Sequence, residues 1–268
     1  MKYELCKTFK DKKRLLVAVV ILILPIIDVL MKVQEVFSDY WMNPEFYPNG
    51  LSSNDLFRPS IASFLSGSGG GNICQMLLIW LMPIYIMILY VDSFLQEKEN
   101  GYSSIYLTKI RKQKVYNNKV LTSFLIVTVL NFVSLLINHV MASVIFYGGE
   151  YMRWLDSLSG FDHFFKWCIS NDEWAYIIYM LSYSLIVGAY AIFCMNISFL
   201  FSDRKIVFAI AVILWIVLVI SPYSITYAMQ PFTEYGLRYF ILAWLVIAII
   251  CVASFFLVKK KWIGKDEI

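Results

Sequence analysis

The side chains of this 268-residue chain that could do chemistry are few, and most of them sit inside apolar runs. Asp28 stands in the last third of the run that begins at Leu15. Asn131, Ser134 and Asn138 are spaced i, i+3 and i+7, so a helix places all three on one face. An ionisable or strongly polar group at membrane depth is a functional candidate by default. These four residues are therefore the candidates for lining a pathway. The structural alternative for the same groups is hydrogen bonding between helices, worth ~0.6 kcal/mol on average.

Hydrolytic, metal and nucleotide chemistry find little support. The two histidines, His139 and His163, belong to no HExxH, the spacing that sets two imidazoles on one helix face for zinc. The cysteines, Cys6, Cys74, Cys168, Cys194 and Cys251, form no CxxC and no cluster with histidine. No metal site is expected from them. A disulfide between Cys74 and Cys168 stays open beside the plainer reading of unpaired thiols. A P-loop needs GxxxxGK followed by Ser or Thr, so that backbone amides and the Lys can cradle phosphates. The glycine-rich run at 67–71 has no such Lys, and Gly264-Lys265 is followed by Asp266. The chain is not expected to be an enzyme or to hold a cofactor. An intramembrane enzyme working through His139 is the minor alternative.

The most informative polar stretch runs from Asp92 through Glu97, Lys98 and Glu99 to Gly101. Acidic residues gather there just as an apolar run ends, and Gly101 can end or bend a helix. Ser103 to Lys114 then mixes Ile105, Tyr106, Leu107 and Ile110 with Lys109, Arg111 and Lys112. A short surface helix there would present charge and apolar contacts to a partner. A loop held to lipid headgroups by its lysines is the equal alternative.

These residues must be positioned by membrane helices. The chain is 60% hydrophobic and 16% charged, against ~45–50% and ~25% in soluble domains. A water-soluble fold could not hide that much apolar side chain. Six runs approach the ~17–25 residues needed to cross the hydrocarbon as a helix: 15–31, 73–95, 120–147, 176–201, 206–223 and 237–258. They are continuous rather than alternating, which excludes a β-barrel. No soluble basic face is visible, so nucleic acid is not an expected partner. Of the 23 Lys and Arg, 18 fall at the N-terminus, at 96–119, at 204–205 and in the tail. The positive-inside rule puts that side in the cytoplasm. The expectation is an all-α membrane protein, a single transmembrane domain over 1–268 in the cell membrane, with six transmembrane helices and both termini cytoplasmic.

Several local expectations follow. The first run has a long basic leader and no small-x-small cleavage site, so it reads as a retained helix and not a signal peptide. Tyr3, Cys6 and Phe9 recur every three residues among lysines, which fits a short amphipathic helix over 2–12 in the membrane interface; a disordered basic leader is the alternative. Residues 32–72 form an outer loop too long for a simple connector, expected to cover the outer mouth. Residues 148–175 are rich in aromatics, among them Trp154, Phe161, Trp167 and Trp174, and are expected to lie along the outer surface. With no GxxxG in the apolar runs, close glycine-mediated helix crossings are not expected.

At Glu97-Lys98-Glu99-Asn100-Gly101, with Leu107 and Lys119 downstream, the sequence resembles the membrane subunit of ABC-2 type transporters. That family carries an E-x-E-x-G-like stretch after the second helix, then a basic stretch and a Lys or Arg before the third. The likeness extends to the basic start, the six runs and the two inward termini, so it spans nearly the whole chain. One departure bears on the subfamily: Thr108-Lys109-Ile110-Arg111 stands where a Pro-Ser-Arg-like stretch is common. The resemblance implies a permease that pairs with a separate ATP-binding cassette subunit and with a second permease, identical or paralogous. ATP and Mg²⁺ would be bound by the ATPase partner. It implies a coupling region made of Asp92, Glu97, Glu99, Gly101, Lys109 and Arg111. Members move drugs, peptides, polysaccharides or lipids. A composition rich in Ile, Lys, Asn and Tyr is reminiscent of low-GC Gram-positive bacteria, where small permeases of this kind often export toxic or antimicrobial peptides or confer immunity to them. That substrate class rests on analogy alone.

Overall fold

The computed structural model describes residues 11–47, 50–66, 73–152, 162–232 and 235–264. Among them all regular structure is helical, apart from one isolated bridge between Phe57 and Tyr151. The helices are α1 (Lys12–Met42), α2 (Pro59–Ala62), α3 (Ile73–Trp80), α4 (Met82–Glu99), α5 (Tyr102–Lys109), α6 (Lys112–Ile145), α7 (His163–Ser170), α8 (Asp172–Leu200), α9 (Arg204–Ile220) and α10 (Leu237–Val258). A wide π-type turn extends α10 to Ile263. The expected interfacial helix over 2–12 and the glycine run at 67–71 lie outside the described residues, except that Asp11 caps α1 by accepting from the Lys13 amide at 3.0 Å.

Four helices, α1, α6, α8 and α10, are long and apolar enough to cross a membrane, or five if α3 and α4 make one bent span. Their outward faces carry large apolar side chains: Leu16, Val144, Leu181, Ile249 and Phe256 are all exposed. An apolar surface of that extent suits hydrocarbon, not water. Inside, α8 is the most enclosed of the long helices and packs against α6, α10, α9 and α4. Tyr176, Tyr183, Tyr190 and Trp215 are fully buried around it.

Two prolines shape the bundle. Pro25 lies inside α1 and lacks the N–H that would bond the Ile21 carbonyl. Ser134 Oγ of α6 supplies the missing donor at 2.6 Å. Pro83 does the same to Ile79, and there the indole N–H of Trp215 donates at 2.7 Å. The chain bends by 55° between α3 and α4 at this point, a proline-type kink. Backbone groups buried among apolar side chains must find such partners, so each proline fixes a neighbouring helix.

The helices differ from the apolar runs in three ways. First, α1 continues eleven residues past Met31, to Met42. The extension mixes charged and apolar residues, with Lys32 and Val36 buried and Gln34 and Phe37 exposed on the other face, so a hydropathy run ends before the helix does. Second, α6 begins at Lys112 and α4 reaches Glu99, so most of the expected 96–119 segment is helix. Third, α8 and α6 cross closely at a lone glycine. A Cβ at Gly188 would stand 1.9 Å from Thr128 Oγ1 and 3.0 Å from the Phe124 ring. The absence of GxxxG therefore did not mean the absence of a glycine contact; one small residue opposite Thr128 suffices.

The segment expected as an outer cover is instead partly internal. Ile61 through Ser66 are buried between α1, α6 and α8. Residues 53–58 pair with 150–151 through three backbone hydrogen bonds of 2.8 to 3.0 Å. The aromatic segment contributes the short amphipathic α7, with Phe165 buried and Trp167 exposed; Trp154 and Phe161 lie outside the described residues. Cys74 and Cys168 are both free thiols.

Candidate functional site

The residues singled out from the sequence divide between two ends of the bundle. At one end stand Asp92, Glu97, Glu99, Gly101, Lys109 and Arg111. Three acids on α4 are all engaged. Glu97 Oε2 pairs with Lys119 Nζ of α6 at 2.8 Å, and both side chains are largely buried. Asp92 Oδ1 and Glu99 Oε2 both meet Arg204, at the start of α9, at 3.5 and 3.1 Å. Asp92 Oδ2 also accepts from Gln96 at 2.8 Å. The acid-rich exit of α4 is thus pinned to α6 and α9.

Lys98 adds a third tie. Its Nζ donates to the carbonyls of Ser198 at 2.6 Å, Phe199 at 3.2 Å and Phe201 at 3.3 Å. These are carbonyls at the end of α8, which have no helical donor. An aromatic cluster lies beneath these lysines. Phe94 meets Phe199 at 4.5 Å, Phe199 meets Trp262 at 4.6 Å, and Lys119 stands 5.6 Å over Phe94. Tyr116 bonds Asn196 at 2.8 Å, and Asn196 bonds Ser254 at 2.8 Å, linking α6, α8 and α10.

Past this rigid root, Asn100 caps α4 and Gly101 takes a positive φ of 74°, which only glycine adopts at little cost. The turn launches α5. Tyr102 and Ile105 on α5 are exposed, as are Lys109 and Arg111. A shallow pocket under α5 is lined by Glu97, Leu107, Val115, Lys119 and Trp262. Of the sequence-derived set, the acids face inward to cations, while Lys109 and Arg111 face outward.

At the other end, Asp28 pairs with Lys32 one helical turn away at 3.1 Å, and both are nearly inaccessible. Lys32 also donates to the carbonyls of Ala62 at 2.8 Å and Ser63 at 3.1 Å. Asn138 donates to the Pro25 carbonyl at 2.6 Å and accepts from the Phe64 amide at 2.8 Å. Ser134 and Asn138 therefore both serve α1. Asn131 does not: it bonds Val127 in its own helix, and its Oδ1 is buried without a hydrogen-bond partner.

His139 joins this end. Its Nδ1 is 2.8 Å from Ser63 Oγ, its Nε2 is 3.2 Å from Glu173 Oε2, and its ring stacks on Tyr176 at 4.7 Å. The order Ser, His, Glu is that of a hydrolytic triad. Here, however, Ser63 is fully buried and also stands 2.7 Å from the Pro59 carbonyl. The Phe64 N–H, next in the chain, is taken by Asn138. The three groups join the loop, α6 and α8 as a clasp.

Sequence reasoning passed over Lys32, Lys98 and Arg204 as site residues, and took Lys119 only as part of the family likeness. The i, i+4 spacing of Asp28 and Lys32 was a readable signal. The partners of Glu97 and Glu99 lie 22 and 105 residues away, with no local signal.

No protein-family model matches the chain, and no solved structure matches it. It is similar to the "Uncharacterized protein YybM" of Bacillus subtilis (strain 168), 25% identical over 256 residues. The likeness covers 95% of this chain and 92% of that protein.

Proposed function

We propose that the chain is the permease subunit of an ABC-2 type exporter in the cell membrane, driven by a separate ATP-binding cassette subunit and paired with a second permease. The observation that carries this reading is α5. It is a short helix with exposed Tyr102, Ile105 and Lys109, mounted at the end of α4. Behind it, Glu97–Lys119 and Glu99–Arg204 tie the mount to α6 and α9. A push on α5 would pass to three helices without being lost in a loop. Under this reading α9 is a sixth span: its 17 residues rise ~26 Å, close to a hydrocarbon core of ~30 Å. Both termini and α5 then lie in the cytoplasm, where 18 of the 23 basic residues collect. The cargo is proposed as a peptide or another amphipathic toxic compound. Co-expression with the cassette ATPases of the source genome tests the pairing. A stable complex whose ATP hydrolysis needs this chain is expected, and a chain that retains no ATPase contradicts the reading.

A second reading is an ATPase-independent carrier or accessory membrane protein, favoured by the buried Asp28–Lys32 pair. Intramembrane ion pairs mark proton and ion routes in carriers. Transport in vesicles lacking any ATPase, abolished by Asp28→Asn, would select it.

A further inference from the structure

We infer that a groove between α6 and α8, beside α10, binds one acyl chain of an anionic phospholipid whose headgroup rests on Lys114 and Lys259. The groove is about 340 Å³ and is lined by Tyr116, Asn117, Val120, Leu121, Phe124 and Ile192. That volume falls in the range of small-ligand sites, roughly 300–1,000 Å³. Apart from Asn117 and the Tyr116 hydroxyl, which is already bonded to Asn196, the walls are apolar. The site therefore suits a hydrocarbon tail and gives a polar solute nothing to bond.

Charge at one end of the groove selects the headgroup. Lys114, Asn117, Leu121 and Phe124 are spaced i, i+3, i+7 and i+10, one stripe along α6. Lys114 is exposed one turn beyond Asn117, at the groove's end. On the neighbouring helix, Phe255 rests on Tyr116 at 6.0 Å. Lys259 follows Phe255 by one turn, so it leaves α10 on the side facing α6; it too is exposed. The first turn of α6 carries no carboxylate, so its terminal amides add positive potential and not cancellation. Two lysine stems can lie along the apolar rim with their ammonium groups at headgroup level. A zwitterionic lipid would satisfy the groove but not the lysines.

The inference rests on the proposed membrane embedding, and the two can fail separately. Carbonate extraction of membranes reports embedding. Native mass spectrometry of the purified full chain reports the lipid, after mixing with equal amounts of phosphatidylglycerol and phosphatidylcholine of the same acyl chains. The wild type is expected to retain phosphatidylglycerol preferentially, and Lys114→Gln with Lys259→Gln to reduce that preference by about five-fold or more, each lysine near a membrane surface being worth a factor of this order. Leu121→Trp, which narrows the groove from an exposed position, is expected to lower retention of both lipids. Thermal unfolding matching the wild type certifies the variants. A chain that resists carbonate extraction yet holds the two lipids equally, or keeps its preference in the double variant, overturns the lipid site alone. Displacement of phosphatidylglycerol by inorganic phosphate also overturns it, because the acyl chain would then contribute nothing.

Discussion

Ser134 on α6 donates at 2.6 Å to the carbonyl of Ile21 on α1, the one acceptor that Pro25 strips of its helical donor. The relationship explains a serine in an apolar helix without any role in transport. It also makes a rescue experiment possible. Ser134→Ala should lower stability by ~0.6–1.7 kcal/mol, the measured span for such bonds in membrane helices. Pro25→Ala returns an N–H to the Ile21 carbonyl, so it should recover most of that loss. Thermal unfolding of the two single variants and the double variant checks it; additive losses would contradict the pairing.

Glu97 and Lys119 form the most enclosed ion pair at the α5 end. Glu97→Gln leaves Lys119 buried over Tyr90 and Phe94 without its counter-charge. Breaking one side of a buried pair costs ~3 kcal/mol or more, and residual access to water brings the expectation to the lower end. Adding Lys119→Met should return much of the stability. Equal unfolding temperatures for wild type and Glu97→Gln would show that the pair contributes nothing.

Lys32 holds the buried segment 62–66 by its carbonyls as well as neutralising Asp28. In Lys32→Met, amides of residues 60–66 should exchange with deuterium faster than in the wild type, while the middle of α8 stays protected. Asp28→Asn with Lys32→Met should be more stable than Lys32→Met alone, since no lone charge remains buried. Unchanged exchange at 60–66 would mean the segment is held by packing alone.

Much of this was legible in the sequence, and the illegible part has a physical cause. Apolar runs gave the helices because hydrocarbon leaves the backbone no other partner, and Gly101 marked the end of α4 because few residues tolerate its φ. The extension of α1 was lost because charged residues there interrupt the apolar run that a hydropathy reading needs. The Asp28–Lys32 pair was readable from its spacing. The clasp of Ser63, His139 and Glu173 and the grip of Arg204 on Glu99 were not, because they join residues whose meeting is decided by how the helices pack. Trp215 shows the same limit: its tie to Ile79 follows from Pro83, but only once α9 is known to lie against α3 and α4.

At Gly188, α8 leaves no space for a Cβ against Thr128 and Phe124 of α6. Gly188→Ala should destabilise the protein by ~1–3 kcal/mol through overpacking. Thr128→Ala removes the nearest atom, so the double variant should regain part of the loss, with the Phe124 ring setting the remainder. A neutral Gly188→Ala would place the helices farther apart than described.

The central claim is that α5 receives work from an outside ATPase, and ATP hydrolysis by the reconstituted complex tests it most directly. Ile105→Asp with Lys109→Glu changes only exposed positions, so the chain should fold and insert normally. If α5 is the docking element, loss of its apolar anchor and one charge should cut permease-dependent ATP hydrolysis by about ten-fold, the scale of an interface hot spot. Assembly and hydrolysis equal to the wild type in that variant would contradict the account.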